Sequence, residues 1–477
     1  MNSIDISYLN LFGVSEKQIN SILKSALSKG GDYADLYFES SSSNEISLRD
    51  KIVSSAGYHV DYGMGVRVLK GDQTGYAYTE ETTLENMQNA ALTASSIAIN
   101  SKTVIEPVNI NKIHSFKKNS RYSQIVTWDS ISVNYKKIIL SKIDEQIFLA
   151  DSRVVKVIAR ISDSESKVLF VNSDGVSFSD CRPMFSIAVS VIMKDGSRTE
   201  NASVSRSFRG GVELISDNLI DSIINEVITK CSFLFKATQP KGGQMSVVMG
   251  SGSSGILLHE AIGHAFEADF NRINTSIFSD KLGKKICPDY ITVVDDPTIP
   301  YNRGSLNIDD EGNIAKKTYM VKDGILTSYL HDKISSDFYK TEPTGNGRRE
   351  SFRHMPLPRM TTTYMEDSNC KEEDLIKEVK KGVYVDNFSN GQVQIGVGDF
   401  TFYVKSGFLI ENGKLTKPIK DINIIGNGPQ ALSDILGVAN NLKIDNSTWT
   451  CGKEQYCAVS CGMPSILVNN LIVGGVE

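Results

Sequence analysis

The chain has 477 residues, 40% of them hydrophobic and 22% charged, and its 51 Lys and Arg against 56 Asp and Glu give a formal net charge of −5. This hydrophobic fraction is ordinary for a globular protein and excludes a chain that is disordered throughout. The charge balance argues against a dedicated nucleic-acid-binding protein, and no apolar stretch approaches the roughly 18 uninterrupted residues of a membrane span.

The N-terminal half alternates helices with runs of short strands. Ser15 and Gln18 have the spacing of a helix capping box, and apolar residues follow at helical spacing until Gly30. Residues 33 to about 78 alternate like strands, with a hairpin connection at 70–72. Later helices are predicted at about 82–100, 133–150 and 218–235, and further strands lie between the last two.

Residues 237–243 form the clearest break in the chain, because they place Pro240 and two Gly between periodic segments. The sequence therefore predicts an N-terminal α+β domain of residues 1–236 and a C-terminal domain of residues 244–477. The helix-then-strands order occurs twice before the break, which suggests sub-layers of about 1–115 and 116–236 within the first domain.

Strands joined by tight turns dominate the C-terminal domain. Asp323-Gly324 and Asn412-Gly413, each between apolar runs, are strong hairpin signals, and helices are expected only near 257–270, 372–381 and 429–440. The predicted fold class is α+β: an N-terminal helix-and-antiparallel-sheet region, then a mostly antiparallel β domain rather than a doubly wound sheet.

The cysteines and the first residues indicate a reduced, intracellular setting. The seven Cys are an odd number, and four of them lie far from any other Cys, which is not typical of a disulfide framework. The start of the chain lacks the basic residues and the continuous apolar stretch of a secretion signal. We therefore expect a cytoplasmic protein.

Residues 245–270 read as a strand, a Gly/Ser-rich loop and a helix, and one interpretation is a nucleotide site. Gly250, Gly252 and Gly255 spell G-x-G-x-x-G in the context that a dinucleotide fingerprint requires. The motif also needs an acidic residue about 20 residues later at the end of a strand. The next good strand ends at Asp295, 40 residues beyond Gly255, so this interpretation is the weaker one.

The stronger interpretation of this segment is a metal site. His259, Glu260 and His264 form H-E-x-x-x-H, one residue longer than the H-E-x-x-H of zinc peptidases. On a regular α-helix, residues five apart diverge by about 140° and cannot share a metal ion. A single π-bulge absorbs the extra residue, and Gly263 beside the second His would ease that distortion. We predict a widened turn between His259 and His264.

The alternative is that both residues are ordinary histidines of an apolar core helix. A buried helix has little reason to carry His, Glu and His within six residues unless they are paired or bind a ligand, so we favour the metal site. Ordinary roles are expected instead for four histidines that occur singly: His59, His114, His331 and His354.

A catalytic zinc ion needs a third protein ligand. Glu267 could share the face of His264, and Asp269 is another candidate. A late cluster of Cys451, Cys457 and Cys461 matches no common metal-binding spacing. Spacing alone leaves the choice among these residues open.

Several long segments follow one another in a characteristic order. They are HEAIGHAFEADFNR, TVVDD, RGSLNIDDEG, PTGNGRRESFRHMPLPRMTTTYM, NGQVQIG, ENGKLTKPIK and TCGKEQ. Together they resemble the TldD subgroup of the TldD/PmbA (TldE) metallopeptidases. The resemblance covers essentially the whole C-terminal half in register, and weaker agreement extends through the N-terminal half.

The resemblance implies a zinc peptidase with one Zn²⁺ per chain. It implies that His259, His264 and Cys451 bind the metal and that Glu260 is the general base, so that the C-terminal domain is catalytic and carries one metal-binding helix. Members of this family are cytosolic and cleave unstructured peptides, including an antitoxin and the precursor of a modified peptide.

Family members typically pair with a paralogous PmbA/TldE-type subunit that lacks the metal motif. The sequence shows no heptad seam or other interface signature, so a homodimer is an equal alternative. Nucleic acid and membranes are not expected as partners.

A basic run lies within one of these segments and contains Arg348, Arg349, His354 and Arg359. Such a run is usually a solvated face, but here it keeps close register with the family. We predict that these four residues form a wall of the substrate cleft that holds a peptide carboxylate or the oxyanion.

Two other classes of function compete with a zinc peptidase. In a non-catalytic partner or regulatory subunit, the metal would be structural, and a fourth protein ligand would usually close its site. A nucleotide-dependent enzyme would bind its cofactor at residues 250–255 and hold no metal. Glu260 beside the first His favours the peptidase, because a structural site needs no base.

Overall fold

The computed structural model describes residues 4–98, 104–115, 120–394 and 396–475, and its fold is α+β, as the sequence predicts. None of the described helices has the length and apolar character required to cross a membrane. The α-helices of these residues are α1 (Ile6–Phe12), α2 (Glu16–Leu27), α3 (Leu84–Ala94), α4 (Val133–Ala150), α5 (Asp217–Leu234), α6 (Ile256–Leu258), α7 (Ala268–Arg272), α8 (Lys333–Tyr339), α9 (Glu372–Lys377) and α10 (Gly428–Ser433).

The strands fall into two groups along the chain. Those before residue 209 are β1 (Tyr33–Arg49), β2 (Ile52–Lys70), β3 (Gln73–Thr79), β4 (Lys112–Ser115), β5 (Val154–Asn172), β6 (Val176–Asp195) and β7 (Arg198–Phe208). Those after residue 242 are β8 (Gly243–Met249), β9 (Val293–Asp295), β10 (Thr318–Lys322), β11 (Ile325–Leu326), β12 (Gly347–Arg348), β13 (Leu357–Pro358), β14 (Thr362–Met365), β15 (Lys381–Val393), β16 (Asp399–Glu411), β17 (Lys414–Asn427), β18 (Ile435–Val438), β19 (Lys443–Asp445), β20 (Thr450–Lys453), β21 (Gln455–Ala458), β22 (Ser460–Met463) and β23 (Ile466–Gly474).

The first group forms one seven-stranded sheet. Its order is β3-β2-β1-β5-β6-β4, and β7 pairs with β6 beside this path. The antiparallel pair of β1 and β5 joins the strands of the two predicted sub-layers into a continuous surface. Helices α2 and α3 share one apolar core with β1 and β2, whereas α4 and α5 share another with β5, β6 and β7. The division of the chain into domains and sub-layers stays a prediction.

Local signals in the first half match the observed helices closely. The capping box of α2 is formed by the side chains of Ser15 and Gln18. The helix predicted at 82–100 is α3 followed by a 3-10 turn at Ser95–Ala98, and Asn100 lies outside the described residues. Helix α4 has the predicted bounds, and α5 begins and ends one residue earlier than expected. Helix α1 was not predicted.

The second group forms mostly antiparallel sheets, as expected. One sheet has the order β17-β16-β15-β8-β23-β18, and an additional pairing between β17 and β23 closes five of its strands into a ring. A second sheet has the order β11-β10-β9-β14-β22-β19. Both predicted hairpin turns are present, and Asp323, Gly324, Asn412 and Gly413 all have positive φ, as a type I′ turn requires.

The helix predictions in the second half differ from the structure in three places, the first being the helix expected at 372–381, which ends at Lys377. The helix expected at 429–440 ends at Ser433, because the following apolar residues form β18 and pair with β23 instead. Short apolar runs fit both a helix and a buried strand, and here the neighbouring strand decides. Helix α8 was missed, although Asp332 and Ser335 form a capping box at its start.

Candidate metal centre

The helix that carries the H-E-x-x-x-H motif is interrupted by a π-turn. After α6, the chain continues as a π-turn at His259–Gly263 and then as a 3-10 turn at His264–Phe266. The backbone N–H of His264 donates to the carbonyl oxygen of His259, five residues earlier, so the predicted widened turn is confirmed. The two imidazole centroids are consequently only 5.0 Å apart, with ring planes at 83°.

Gly263 belongs to this π-turn for a packing reason. Its φ is −58°, which any residue adopts, so the turn does not need the conformational freedom of glycine. A Cβ at this position would lie 2.2 Å from Met360 Sδ and 3.1 Å from the carbonyl oxygen of Leu258. The missing side chain therefore lets Met360 pack directly against the turn that holds both histidines.

Three side chains with metal-binding atoms converge at this turn. The ligand atoms of His259, His264 and Cys451 all lie within 4.8 Å of one another. Cys451 comes from β20, 187 residues beyond His264, and its Sγ lies 3.2 Å from His264 Nε2. All three side chains are at most 5% exposed. The buried Nδ1 of His259 has no hydrogen-bond partner among the described residues.

This donor set fits a divalent metal ion. A buried polar nitrogen without a partner costs free energy unless a ligand or an ordered water satisfies it. Two imidazoles and one thiolate match the three-ligand pattern of catalytic metal sites, in which a sulfur and a nitrogen on a tetrahedral ion lie about 3.5 Å apart. The 3.2 Å between Cys451 Sγ and His264 Nε2 is close to that separation.

The protonation of these side chains is also suited to a cation. Burial acts to raise the pKa of the Cys451 thiol, but the charges and hydrogen bonds of His259 and His264 lower that pKa to about 4. Burial acts to lower the pKa of His264, but Glu267 and Cys451 raise it well above its usual value. Both shifts favour a thiolate beside a charged imidazole. A metal ion takes a thiolate and a neutral imidazole as ligands, so its binding would displace a proton from the imidazole.

Glu267 holds the imidazole of His264 rather than joining the cluster of ligand atoms. Its Oε2 lies 2.8 Å from His264 Nδ1 and 3.1 Å from Lys453 Nζ. Burial acts to raise the pKa of Glu267, but Lys453 and His264 lower it to about 2. Asp269, the other acidic candidate, is also bound to Lys453, at 2.8 Å. A carboxylate on the second nitrogen of a metal-binding His fixes the orientation of the ring.

Lys453 is the member of this arrangement that sequence reasoning missed. It lies two residues after Cys451 on β20, and residues two apart on a strand share a face. Its Nζ also approaches the ring centroid of Phe270 to 4.3 Å. The spacing of the C-G-K segment was therefore a usable signal for a charged residue beside the cluster.

Arg359 anchors the strand that carries Cys451. Its side chain is fully buried, and Nη2 donates to the carbonyl oxygen of Cys451 at 2.8 Å. Nη1 donates to the carbonyl oxygen of Gln455 at 2.9 Å, so one guanidinium holds both strands of the hairpin β20–β21. Burial acts to lower the pKa of Arg359, but Cys457, Cys451 and Glu267 raise it.

Glu260 lies at the boundary between the cluster and a cleft. It lines a small cavity of about 20 Å³ together with His259, Cys461 and the apolar side chain of Trp449. Trp449 and Thr450 also line a cleft of about 930 Å³ that extends along β7 and the loop at 251–253. The cavity therefore adjoins a cleft through which a substrate could approach the cluster.

The four residues predicted to bind substrate occupy different environments. Arg348 and Arg349 are 5% and 6% exposed; the first donates to two backbone carbonyl groups, and the second lies 4.2 Å over the ring of Tyr37. Arg359 is buried as described above, whereas His354 is partly exposed. Their role in substrate binding stays a prediction. The structure adds that the three arginines bind other parts of the protein.

The glycines of the 250–255 loop are explained by close packing. A Cβ on Gly255 would lie 2.6 Å from the backbone nitrogen of Gly462 in β22. Gly252 has φ +95°, and its N–H donates to the carbonyl oxygen of Met463 in the same strand at 3.0 Å. The G-x-G-x-x-G pattern thus seats the loop on β22 beneath the metal-binding helix.

Three family models match successive parts of the chain. They are described as PmbA/TldA metallopeptidase domain 1 at residues 34–98, the central domain at residues 127–230 and the C-terminal domain at residues 242–475.

Similar curated proteins carry names of the same kind. A "Metalloprotease TldD homolog" from Haemophilus influenzae is 35% identical over 100% of this chain and 99% of its own length. Another from Buchnera aphidicola subsp. Schizaphis graminum is 36% identical over 97% of this chain and 96% of its own length.

Solved structures share the fold across nearly the whole chain. TldE from Thermococcus kodakarensis has a TM-score of 0.74 at 19% identity, covering 96% of this chain and 100% of its own. A putative modulator of a DNA gyrase from Thermotoga maritima has a TM-score of 0.76 at 20% identity, with the same coverage. At these identities the likeness concerns the fold alone.

Proposed function

The chain belongs to the PmbA/TldD metallopeptidase family, and we propose that it is a zinc peptidase that cleaves unstructured peptides. In this proposal His259, His264 and Cys451 bind one zinc ion, and Glu260 is the general base. The observation that carries it is the convergence of these three ligand atoms within 4.8 Å, from a π-turn and a distant strand.

Zinc is the metal that the ligand types favour. Two imidazoles and one thiolate suit this borderline-soft ion, and three protein ligands leave a position open for catalysis. When bound, zinc supplies a Lewis acid that lowers the pKa of water and polarises a scissile carbonyl group. A structural site would usually have a fourth protein ligand, and the cluster found among the described residues has three.

The protein groups around the ion have distinct tasks in this proposal. Glu260 lines the cavity beside His259, where its carboxylate can accept a proton from the attacking water and pass it to the leaving amine. Glu267 fixes the ring of His264 through Nδ1, and Lys453 keeps Glu267 ionised. Arg359 holds the backbone of Cys451 in place. The apolar walls of the cavity keep bulk water away from the reacting groups.

An extended peptide is the substrate class that suits the cleft. Strand β7 borders the cleft and pairs with β6 on one side, so much of its other edge is free of strand partners in the described structure. A peptide added along such an edge binds mainly through backbone hydrogen bonds, with little sequence preference. An unfolded segment can align along such an edge without first breaking its own hydrogen bonds, which favours unfolded substrates.

The partner and the location of the protein complete the proposal. A paralogous PmbA/TldE-type subunit or a second copy of this chain is the proposed partner. The solved TldE structure that resembles this chain supports a shared fold between two such subunits. A cytoplasmic location is also part of the proposal.

Metal analysis and peptide cleavage together test the assignment. Purified protein should contain about one zinc per chain, and His259→Ala should lose it because two ligands hold zinc poorly. Glu260→Gln should retain the zinc but cleave an unstructured peptide roughly 10²- to 10⁴-fold more slowly, the usual contribution of a general base.

The matched control is Glu411→Gln, which makes the same change at an exposed position in the hairpin between β16 and β17. Its zinc content and cleavage rate should equal those of the unmodified protein. A chain without zinc would overturn the metal assignment, and a Glu260→Gln variant with full activity would overturn the role of the base.

A further inference from the structure

Cys451 has a second cysteine directly opposite to it. In the hairpin formed by β20 and β21, the register pairs Cys451 with Cys457. Both residues have free thiols, and each is 4% exposed. Directly opposite residues of an antiparallel pair point to the same face of the sheet, and their Cα atoms are about 4.5 to 5.5 Å apart.

That separation lies inside the range of a disulfide. Bridged cysteines usually have Cα atoms about 4.4 to 6.8 Å apart, so a bond between these two needs no movement of the hairpin strands. The guanidinium of Arg359 donates to the backbone on both sides of the hairpin, at Cys451 and Gln455, and so holds the two strands in register.

We propose that Cys451 and Cys457 form a modification site at which a peroxide converts the two thiols into a disulfide and thereby removes the sulfur ligand from the metal centre. The inference rests on the proposed zinc site and adds a means of regulating it. It assigns a role to Cys457, a residue outside the cluster of three ligand atoms.

The reaction balances with a peroxide as the oxidant. The thiol of Cys457 loses its proton and its sulfur attacks hydrogen peroxide, which breaks the O–O bond, forms a sulfenic acid and releases one water. The sulfur of Cys451, a thiolate while it binds the metal, then attacks the sulfenic sulfur and forms the S–S bond, and the leaving hydroxide takes up a proton from solvent to give the second water. The two sulfurs together lose two electrons, and one peroxide is reduced to two waters. A dithiol reductant reverses the change by thiol–disulfide exchange.

The location of the pair links this chemistry to the metal. The cavity of about 20 Å³ is lined by Thr450, the neighbour of Cys451 in the chain, and is large enough for about one water molecule. Once Cys451 is bonded to Cys457, its sulfur is no longer an anionic ligand. His259 and His264 would remain as two neutral ligands, too few for a stable zinc site.

Cys461 offers a matched control because it is close but differently placed. It lies on β22 and pairs with Thr363 and Asp445, not with either cysteine of the hairpin. It also lines the cavity beside Glu260. An oxidant that enters the cavity therefore reaches Cys461, which has no opposing cysteine in its sheet.

The experiment exposes the purified full-length protein to hydrogen peroxide and follows zinc release with a chromogenic chelator. In parallel, a non-reduced tryptic digest is analysed by mass spectrometry. Trypsin cleaves after Lys453, so the disulfide joins two peptides and lowers their summed mass by two hydrogen atoms. The peptide that begins at Glu454 contains both Cys457 and Cys461, so fragment ions that separate these two residues identify which of them is linked to Cys451. We expect peroxide to produce this linked pair of peptides and to release the zinc. Dithiothreitol with added zinc should then restore the two thiols and the bound zinc.

Two variants distinguish formation of the disulfide from oxidation of Cys451 alone. Cys457→Ala should bind zinc but release it at least about tenfold more slowly in peroxide, because no second thiol completes the bond. Cys461→Ala should release zinc at the unmodified rate and give the same linked peptides. Equal release from the Cys457→Ala and unmodified proteins would overturn the proposal.

The outcomes also distinguish this inference from the proposed function. A protein that contains no zinc before treatment would refute the zinc site itself. A protein that contains zinc but shows no Cys451–Cys457 link after peroxide would refute the inference and leave the peptidase assignment intact. Peptide mapping of the unmodified protein decides this point even if Cys457→Ala fails to fold.

Discussion

The candidate metal centre can be compared with an ion cluster that is buried beside the seven-stranded sheet. This ion cluster consists of Asp35, Arg67, Arg182, Asp310 and Glu311. Arg67 Nη1 lies 2.6 Å from Glu311 Oε1, Arg67 Nε lies 2.7 Å from Asp35 Oδ2, and Arg182 Nη1 lies 2.5 Å from Asp310 Oδ1. All five side chains are at most 9% exposed.

The two clusters differ in how their polar atoms are paired. In the ion cluster, each carboxylate faces a guanidinium group of Arg67 or Arg182. In the metal centre, two imidazoles and a thiol converge, and His259 Nδ1 has no partner in the described structure. Burial of charge alone therefore does not identify a functional site. Ligand atoms that converge without enough hydrogen-bond partners within the protein are the feature that points to one.

The largest effect is expected from breaking the ion cluster. Arg67→Met should lower the free energy of unfolding by about 3–5 kcal/mol, because it leaves Asp35 and Glu311 buried without this cation. Zinc content per folded chain should not change, since the metal centre has its own partners. Urea unfolding followed by circular dichroism, with metal analysis of the folded protein, measures both quantities.

Arg353→Met is the matched control for this variant. Arg353 also joins the seven-stranded sheet to the second half of the chain, but its partners Asp61 and Glu80 are partly exposed. Arg353→Met should lower the free energy of unfolding by about 1 kcal/mol or less. Equal costs for the two variants would contradict the distinction between a buried cluster and an exposed ion pair.

A second prediction concerns a buried histidine outside both clusters. His331 packs against Tyr339, its Nδ1 lies 3.3 Å from Ser335 Oγ, and burial lowers its pKa to about 4 although Asp332 acts to raise it. The unfolded chain therefore binds the proton first. The contribution of His331 to the free energy of unfolding is fully present above pH about 6.5. It is lost as the pH drops toward about 4, which lowers the free energy of unfolding by up to roughly 3 kcal/mol.

His331→Phe should remove this part of the acid sensitivity, because phenylalanine keeps the aromatic packing but cannot bind a proton. Unfolding free energies measured at several pH values between 7 and 4 give the slope for each protein. The exposed His59 supplies the control, since His59→Gln should leave the slope unchanged. Identical slopes for His331→Phe and the unmodified protein would show that another group controls the acid response.

The smallest effect is expected from Glu267, which contacts His264 but is not one of the three proposed metal ligands. Glu267→Gln should weaken zinc binding about 10- to 100-fold, because a neutral amide orients the ring of His264 less firmly. Competition with a chelator of known affinity measures the change. Asp269→Asn is the control, since Asp269 contacts Lys453 but no histidine of the cluster. Unchanged affinity in Glu267→Gln would remove the positioning role.

The sequence alone determined features that depend on neighbouring residues. The capping box at Ser15 begins α2, and Asn412-Gly413 forms the hairpin turn where it was expected. The five-residue spacing of His259 and His264 predicted a π-turn, which the structure contains. These predictions succeed because backbone geometry within a few residues settles them before any distant contact forms.

Tertiary structure decided the features that depend on distant residues. No spacing rule brought Cys451 to His264 across 187 residues; the family resemblance pointed to it, and the strand pairing around β20 places it there. The basic run was expected at a substrate cleft, which stays a prediction, and only the structure shows that Arg348 and Arg359 bind backbone carbonyl groups inside the protein. The residues at 435–438 pair with β23 rather than extend a helix. Such outcomes depend on which strands lie side by side, and a sheet fixes that choice only when the whole chain has folded.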